Sequence, residues 1–215
     1  PHIPVTAHGL KENGYATIAT TNWLPYSWSV NNIAFAEVMH TALSYFQAGR
    51  AEAGYKLLKS SVLDGMYLGD SPGNFGQISF YDAARGECYR DFGDPIGVAS
   101  RVLIQGLFGI LPDALNQQII LRPGFPDDWD KASVSTPDIS YRFTRKEDTD
   151  TYHITQRFQT PLHPVLQINA RKEKIRSVKV NGVPATWQSI ESAHGYPLLS
   201  IQAEGTSSTT ITIEW

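Results

Sequence analysis

The hydrophobic and polar positions in the first half of the chain follow helical spacing. Between residues 31 and 50 the apolar side chains recur every three or four positions, Asn31 or Asn32 is placed to cap the start, and Gly49 is placed to stop the end. This pattern predicts an amphipathic helix. The predicted apolar face consists of Phe35, Met39, Ala42, Leu43 and Phe46.

A second helix is predicted immediately afterwards, over residues 51–63. Tyr55, Leu58 and Val62 recur at helical spacing, and the following Asp64-Gly65 pair is interpreted as the end of the helix. Because the connection between the two helices is short, we expect an antiparallel pair, which is one hairpin of a helical toroid or half of a bundle.

A third helix is marked by signals for its start and its stop. Asp94 fits the N-cap and Pro95 fits the first helical position, while Gly106 and Gly109 weaken and end the helix. The apolar positions between these signals are Val98, Val102, Leu103 and Leu107.

The second half of the chain changes to short β-rich runs separated by Pro, Gly or charged turns. The runs are QIILR, KASVST, DISYRFTR, TYHITQRF, PVLQINAR, IRSVKVNG, ATWQ, PLLSIQA and TTITIEW. Asn181-Gly182 predicts a hairpin that places Val178 and Val180 on one face, opposite Trp187 or its neighbour. With a boundary near Leu111, the sequence predicts an α+β protein in two parts. Residues 1–110 are the helical part, and residues 111–215 form an antiparallel β-sandwich.

Composition excludes several classes of partner. The 215 residues are 41% hydrophobic and 18% charged with a net charge of -3, and they contain no Lys/Arg blocks, so neither nucleic acid nor an anionic membrane is an expected partner. No apolar run is long enough to span a bilayer. Cys88 is the single cysteine and the six histidines are scattered, so we expect no disulfide, no metal site and no cofactor.

Three segments of the first half combine carboxylates, amides and aromatic rings. They are residues 12–15, 22–28 and 91–94, and the Gly-, Asp- and aromatic-rich residues 65–93 predict a packed loop that forms a lid or a cleft wall. Glycoside hydrolysis needs two carboxyl groups at the glycosidic bond, and aromatic rings form flat platforms for sugars. Asp94 is also explained by its N-cap position, and Glu37 ranks below the loop carboxylates.

The segment LPDALNQQIILRPGFPDDW resembles the stretch that leaves the last barrel helix in six-hairpin, (α/α)6-toroid carbohydrate enzymes. These are the cellobiose and chitobiose phosphorylases and, more distantly, the α-L-rhamnosidase and fucosidase families. LKENGYATIATTNW is similar to their RENGGQYTH segment at Glu12, Asn13 and Gly14, but lacks its Gln and His. IRSVKVNGVPATWQ is similar to their C-terminal sandwiches.

The resemblance implies a glycoside hydrolase rather than a phosphorylase. Where the phosphorylases hold phosphate with a Thr-Gly-Ser turn, this chain has Phe92-Gly93-Asp94, and a carboxylate there would repel phosphate. Asp94 or Asp91 is then the candidate base, with Glu12 a further catalytic candidate. The implied substrate-binding residues are Asn13, Trp23, Tyr26, Trp28 and Tyr81.

Most helices of a toroid are missing from these residues, so the resemblance implies a C-terminal fragment that is inactive alone. Its partners would be a carbohydrate substrate and the remainder of its own longer chain or another copy. The general acid would lie upstream. A periplasmic or extracellular bacterial location is favoured over the cytoplasm.

Two alternatives from other classes stay open. The first is a non-catalytic carbohydrate-binding module, for which Tyr141, Tyr152 and Trp187 are the candidate aromatic residues on a sheet face. The second is a scaffold or interaction module, which would leave the aromatic loops of the first half without a purpose.

Overall fold

The computed structural model describes residues 2–4, 15–18, 33–68, 80–82, 87–89, 94–191 and 198–215. The chain divides into two compact units, Pro1–Leu107 and Phe108–Trp215, which we name the helical unit and the β unit. The described residues form few helices and mostly antiparallel sheets, an α+β arrangement. The described helices include none that is long and apolar enough to cross a membrane.

The described part of the helical unit contains short strands and three α-helices. The strands are β1 (His2–Pro4), β2 (Ala16–Ile18), β3 (Ile33–Ala34), β4 (Phe80–Asp82) and β5 (Glu87–Tyr89), and the helices are α1 (Phe35–Gln47), α2 (Ala51–Val62) and α3 (Asp94–Arg101). β1 pairs with β2, and β3, β4 and β5 form a second antiparallel sheet.

The first predicted helix forms with the predicted apolar face, but its start differs. All five predicted face residues of α1 are buried, and Gly49 follows at a φ of 70°. The N-cap residue is Ala34, whose side chain cannot cap, so the prediction of Asn31 or Asn32 as the cap is wrong. The reason is that the chain pairs with β4 as β3 before it turns into the helix.

The second helix buries a different face from the one predicted. Leu58 is buried, whereas Tyr55 and Val62 are half-buried, and small residues take the contact positions instead. A Cβ atom added to Gly54 would lie 3.0 Å from the Phe46 ring, so this glycine lets α2 approach α1 closely. The buried face of α2 consists of Gly54, Leu57, Leu58, Ser60 and Ser61.

Both α2 and α3 continue into a π-helical turn, over Leu63–Leu68 and Val102–Leu107 respectively. Asp64 therefore lies inside a helical segment, and the prediction that Asp64-Gly65 ends the helix is wrong. Gly106 likewise lies within the helical run, where an added Cβ would come 2.6 Å from the Phe46 ring. The run ends at Leu107, before Gly109 with its φ of 64°.

The β unit consists of two sheets. Their strands are β6 (Ile110–Asp113), β7 (Gln118–Leu121), β8 (Lys131–Ser135), β9 (Ile139–Lys146), β10 (Thr149–Gln156), β11 (His163–Asn169), β12 (Ser177–Val180), β13 (Val183–Pro184), β14 (Gln188–Ile190), β15 (Leu198–Gln202) and β16 (Ser208–Glu214). The six-stranded sheet has the order β13-β12-β16-β10-β9-β8, and the five-stranded sheet has the order β14-β15-β11-β7-β6. All neighbours are antiparallel except β11 and β7.

Eight of the nine predicted β-rich runs contain a strand, and two details differ. Strand β6 was not predicted, because Pro112 and Asp113 are typical turn residues. It pairs with β7, and a 3-10 turn over Ala114–Asn116 lies between the two strands. Within ATWQ only Gln188 lies in a strand, β14, and residues 185–187 connect β13 with β14, so the prediction of a strand there is wrong. The predicted boundary near Leu111 falls within β6, three residues after the division between the units.

The Asn181-Gly182 hairpin forms as predicted, with φ values of 51° and 80°. Its register pairs Val180 with Val183, so neither Val178 nor Val180 lies opposite Trp187. Trp187 lies beyond β13 and is 44% exposed. The two-residue turn fixes this register, because each partner is counted outward from the turn.

One face of the main strands is buried in apolar and aromatic side chains. Phe125 stacks on Trp129 and Phe143 at ring distances of 6.0 and 5.2 Å, and Tyr141 stacks on Tyr152 at 6.3 Å. Buried residues alternate with half-buried or exposed ones along most of β9 and along β10 and β16, which follows from the period of two in a strand.

Candidate functional site

The structure describes only some of the predicted site residues. Asp94 is the first residue of α3 and is exposed to solvent. Tyr81 lies on β4, in register with Ile33 on one side and Cys88 on the other. The other predicted site residues lie outside the described residues: Glu12, Asn13, Trp23, Tyr26, Trp28 and Asp91.

The strand that follows the Glu12-Asn13-Gly14 motif is bound to α2. The Ala16 backbone N–H donates to Ser60 Oγ at 3.2 Å, and the neighbouring Thr17 is fully buried. Ser60 Oγ in turn donates to the Lys56 carbonyl at 2.7 Å, which fixes the orientation of the acceptor. The chain therefore leaves the motif along the C-terminal half of α2.

Tyr15, the residue directly after this motif, lies beside two ammonium groups of α2. The Nζ atoms of Lys59 and Lys56 lie 4.9 and 6.0 Å from the centre of the Tyr15 ring. Such contacts attract a cation to the ring face and add to the attachment of β2 to the helix.

Asp64 lies one helical turn beyond Ser60, in the π-helical turn that extends α2. Burial raises the pKa of its carboxyl from 3.8 to about 6, because the charged form loses solvation. A carboxyl with this pKa is partly protonated at mildly acidic pH, so it can both donate and accept a proton. Perturbed carboxyls and single π-helical turns both occur preferentially at functional sites.

Asp64 was missed by reasoning from sequence because an Asp-Gly pair after an amphipathic helix looks like a stop. The available signal was the sequence context LDGMYL, in which the acidic residue stands in a run of mostly large hydrophobic residues. Glu37, the other carboxylate considered inside a helix, is exposed on α1.

The described residues contain no group of three or more His, Cys, Asp or Glu side chains arranged to hold a metal ion.

The β unit carries two surface grooves. One, of about 460 Å³, lies on the outer face of β8, β9 and β10, and the other, of about 240 Å³, is lined by Trp187, Lys172 and Glu173 among others. Tyr141 and Tyr152, which the carbohydrate-binding alternative needs on a sheet surface, are buried. Trp187 alone of the three candidates is exposed.

No model of a known protein family matches the chain, and no curated protein matches it. The solved structures that match it include three glycoside hydrolases. An α-L-rhamnosidase from Dictyoglumus thermophilum aligns over 57% of this chain and 14% of its own, at 16% identity and a TM-score of 0.40.

The other two structures align over more of the chain at lower identity. A GH127 β-L-arabinofuranosidase from Geobacillus Stearothermophilus T6 covers 86% of this chain and 32% of its own, at 9% identity and a TM-score of 0.36. A glycoside hydrolase family 30 subfamily 8 xylanase from Clostridium acetobutylicum covers 100% and 46%, at 11% identity and a TM-score of 0.25. At these values the superpositions do not establish a shared fold, and the chain spans less than half the length of each protein.

Proposed function

We propose that this chain is the C-terminal part of a glycoside hydrolase that cleaves oligo- or polysaccharides by carboxylate acid/base chemistry. The observation that carries the proposal is the Asp64 carboxyl, with its pKa raised to about 6, on the helix that binds the strand after the Glu12-Asn13-Gly14 motif. Glycoside hydrolysis requires one carboxyl that stays protonated near the working pH and one that is ionised.

Asp64 is suited to the role of proton donor in this scheme. Its partner would be an ionised carboxylate of the same unit, for which Asp94, Asp91 and Glu12 are the candidates. Asp94 is exposed at the start of α3 and is accessible to a substrate or a water molecule. Asn13, Trp23, Tyr26, Trp28 and Tyr81 would bind the sugar.

The finer architecture is part of the same proposal. The α1–α2 hairpin and α3 would be the last helices of an (α/α)6 toroid, and the two sheets, each with alternating burial, would form its closing β-sandwich. Further helices from the remainder of its own chain, or another copy, would then complete the cleft.

Hydrolysis assays on the intact gene product and on this chain test the proposal. With a panel of oligosaccharides, we expect activity from the intact product, none from this chain alone, and a loss of about 100-fold or more in Asp64→Asn and in one of Asp91→Asn and Asp94→Asn. Asp128→Asn, which changes an exposed carboxylate of the β unit, is the matched control. Full activity in all three aspartate variants would rule out the assignment.

A non-catalytic carbohydrate-binding module is the second candidate, favoured by the exposed Trp187 in its groove of about 240 Å³. A sugar ring would stack on the indole, with the exposed Glu173 available for hydrogen bonds. Loss of oligosaccharide binding in Trp187→Ala, combined with an inactive intact product, would favour this candidate over the hydrolase.

A further inference from the structure

The outer face of the six-stranded sheet carries three rows of polar side chains across β8, β9, β10 and β16. Strand register places the residues of each row directly opposite one another, and all of them are on the exposed side of the alternation. The rows are Lys131-Thr144-Thr151-Thr212, Ser133-Arg142-His153-Thr210 and Ser135-Ser140-Thr155-Ser208.

These rows contain hydroxyls and cationic or imidazole groups, and no carboxylate, Phe, Tyr or Trp. An antiparallel sheet with one solvated face is commonly rich in Ser and Thr, so hydroxyls alone do not indicate a site. On the same face the next residue of β16, Glu214, is paired with Lys179 at 3.2 Å, so Lys131 and Arg142 give these three rows a local positive character in a chain whose net charge is -3.

A groove of about 460 Å³ lies over two of the rows, and Arg142 is one of the residues that line it. Within the described part of the chain, the Arg142 guanidinium has no hydrogen bond or ion pair. The other arginines of the β unit all have partners: Arg122 with Gln167, Arg145 and Arg171 with Asp150, Arg157 with Thr136, and Arg176 with Asp148. Arg142 therefore has five N–H donors available to a ligand.

Hydrogen bonds hold the side chains around Arg142 in place. Ser135 Oγ and Ser140 Oγ lie 3.0 Å apart, and Arg157 Nη2 donates to Ser140 Oγ at 3.1 Å. His153 Nδ1 is bonded to Thr210 Oγ1 at 2.9 Å, which leaves its Nε2 atom for a ligand. Since these side chains are already ordered, ligand binding would cost little of their conformational entropy.

We propose that this groove binds a carboxylated sugar unit of an acidic polysaccharide. The Arg142 guanidinium matches the geometry of a carboxylate, to which it can donate two parallel N–H bonds, and the Ser and Thr hydroxyls match the hydroxyls of a sugar ring. The choice of a sugar, rather than another hydroxylated carboxylate, rests on the proposed function. The groove lies entirely within the β unit, so binding there does not require the catalytic carboxyls.

Affinity electrophoresis of the full chain tests this binding. We expect polygalacturonate in the gel to retard the wild-type chain and neutral dextran to leave its mobility unchanged. Arg142→Ala should weaken the affinity about 10-fold, the scale of one charge-assisted pair. Arg176→Ala, which removes an arginine with a 69% exposed side chain outside the groove, is the matched control and should bind as the wild type does.

A second variant makes the test independent of removing Arg142. Ser133 is directly opposite Arg142 in the register, so Ser133→Asp would place a carboxylate next to the guanidinium and should weaken retardation at least as much as Arg142→Ala does. Circular dichroism melting confirms that each variant is folded.

Three results would overturn the inference. They are the absence of wild-type retardation by polygalacturonate, equal retardation of the wild type and Arg142→Ala, and retardation by dextran sulfate but not by polygalacturonate. Hydrolysis of neutral oligosaccharides by the intact gene product, measured in parallel, reports on the proposed function separately. If the intact gene product hydrolyses oligosaccharides but the β unit does not bind polygalacturonate, only the proposed binding at the groove is refuted.

Discussion

At the scale of single residues, the β unit depends on one buried carboxylate. Asp150 is 1% exposed and accepts hydrogen bonds from Arg145 Nε at 2.9 Å, Arg171 Nη1 at 2.9 Å and Trp215 Nε1 at 3.0 Å. These donors come from β9, from the segment after β11 and from the last residue. One side chain therefore connects parts of the chain that are distant in sequence.

Asp150→Ala should destabilise the β unit by more than about 3 kcal/mol, because it leaves two arginines and a buried indole N–H without their acceptor. Urea denaturation of the full chain measures this loss. Asp148→Ala is the matched control, since Asp148 pairs with Lys172, Arg171 and Arg176 at the surface and its loss should be small. Equal effects of the two substitutions would refute the importance of burial.

At Tyr141, in contrast to Asp150, a substitution is expected to stabilise the protein. Its hydroxyl is buried without a hydrogen-bond partner among the described residues, while its ring packs on Phe108 and Phe125. Tyr141→Phe should therefore stabilise the protein by about 1 kcal/mol, as the cost of an unsatisfied hydroxyl disappears. Tyr141→Leu, which removes the stacked ring, should lower the melting temperature. A lower melting temperature for Tyr141→Phe would show that the hydroxyl is satisfied.

The pKa of Asp64 predicts a pH dependence of stability. The folded pKa of about 6 lies above the ordinary value of 3.8, so the folded state binds the proton more tightly than the unfolded state. The protonated carboxyl therefore adds stability below about pH 4, and this added stability is lost as the pH rises through 6. Asp64→Asn should match the wild type near pH 4 and exceed its stability above pH 7 by roughly 1 to 2 kcal/mol. Thermal melts across this range measure the difference, and parallel curves would contradict it.

The sequence alone could not provide this information about Asp64 or Asp150. Asp64-Gly65 and the Asp148-to-Asp150 region both look like turns, and a pKa shift depends on which side chains cover a carboxyl after folding. Arg171 reaches Asp150 across 21 positions and Trp215 across 65, separations that no local pattern encodes.

At the scale of elements, periodicity predicted most of the structure and local signals predicted its ends less well. The apolar face of α1 and eight of the nine β-rich runs formed as expected, since burial imposes the periods of 3.6 and 2 directly. The cap of α1, the buried face of α2 and strand β6 were not predicted. In each case the cause is a tertiary contact: pairing of β3 with β4, packing of Phe46 on Gly54, and pairing of β6 with β7.

The connection into the β unit depends on Gly109. Its φ is 64°, and a Cβ atom added there would lie 1.9 Å from the Arg122 carbonyl oxygen. Gly109→Ala should cost on the order of 3 kcal/mol or more, as backbone strain and a steric clash add. Gly182→Ala is the control, because its φ is 80° but it has open space around it, and its cost should be about 1 kcal/mol. Equal losses in urea denaturation would contradict the clash.

At the scale of the whole molecule, the chain combines a helical unit that carries the candidate carboxyls with a β unit that carries the grooves. The sequence predicted two parts of these kinds from the change in periodicity. The sequence could not predict which candidate site residues lie close together in space, because the aromatic and acidic loop residues have no periodicity from which their positions follow. The proposal of a hydrolase therefore depends on Asp64 and on which residue is the ionised carboxylate that acts with it.

The pH dependence of kcat/KM for oligosaccharide hydrolysis by the intact gene product tests the central claim most directly. If Asp64 is the proton donor, activity should fall as the pH rises through about 6, where its carboxyl loses the proton. Asp64→Asn should retain no more than about a hundredth of the wild-type activity at any pH. An Asp64→Asn variant with wild-type activity and the same alkaline limb would contradict the account.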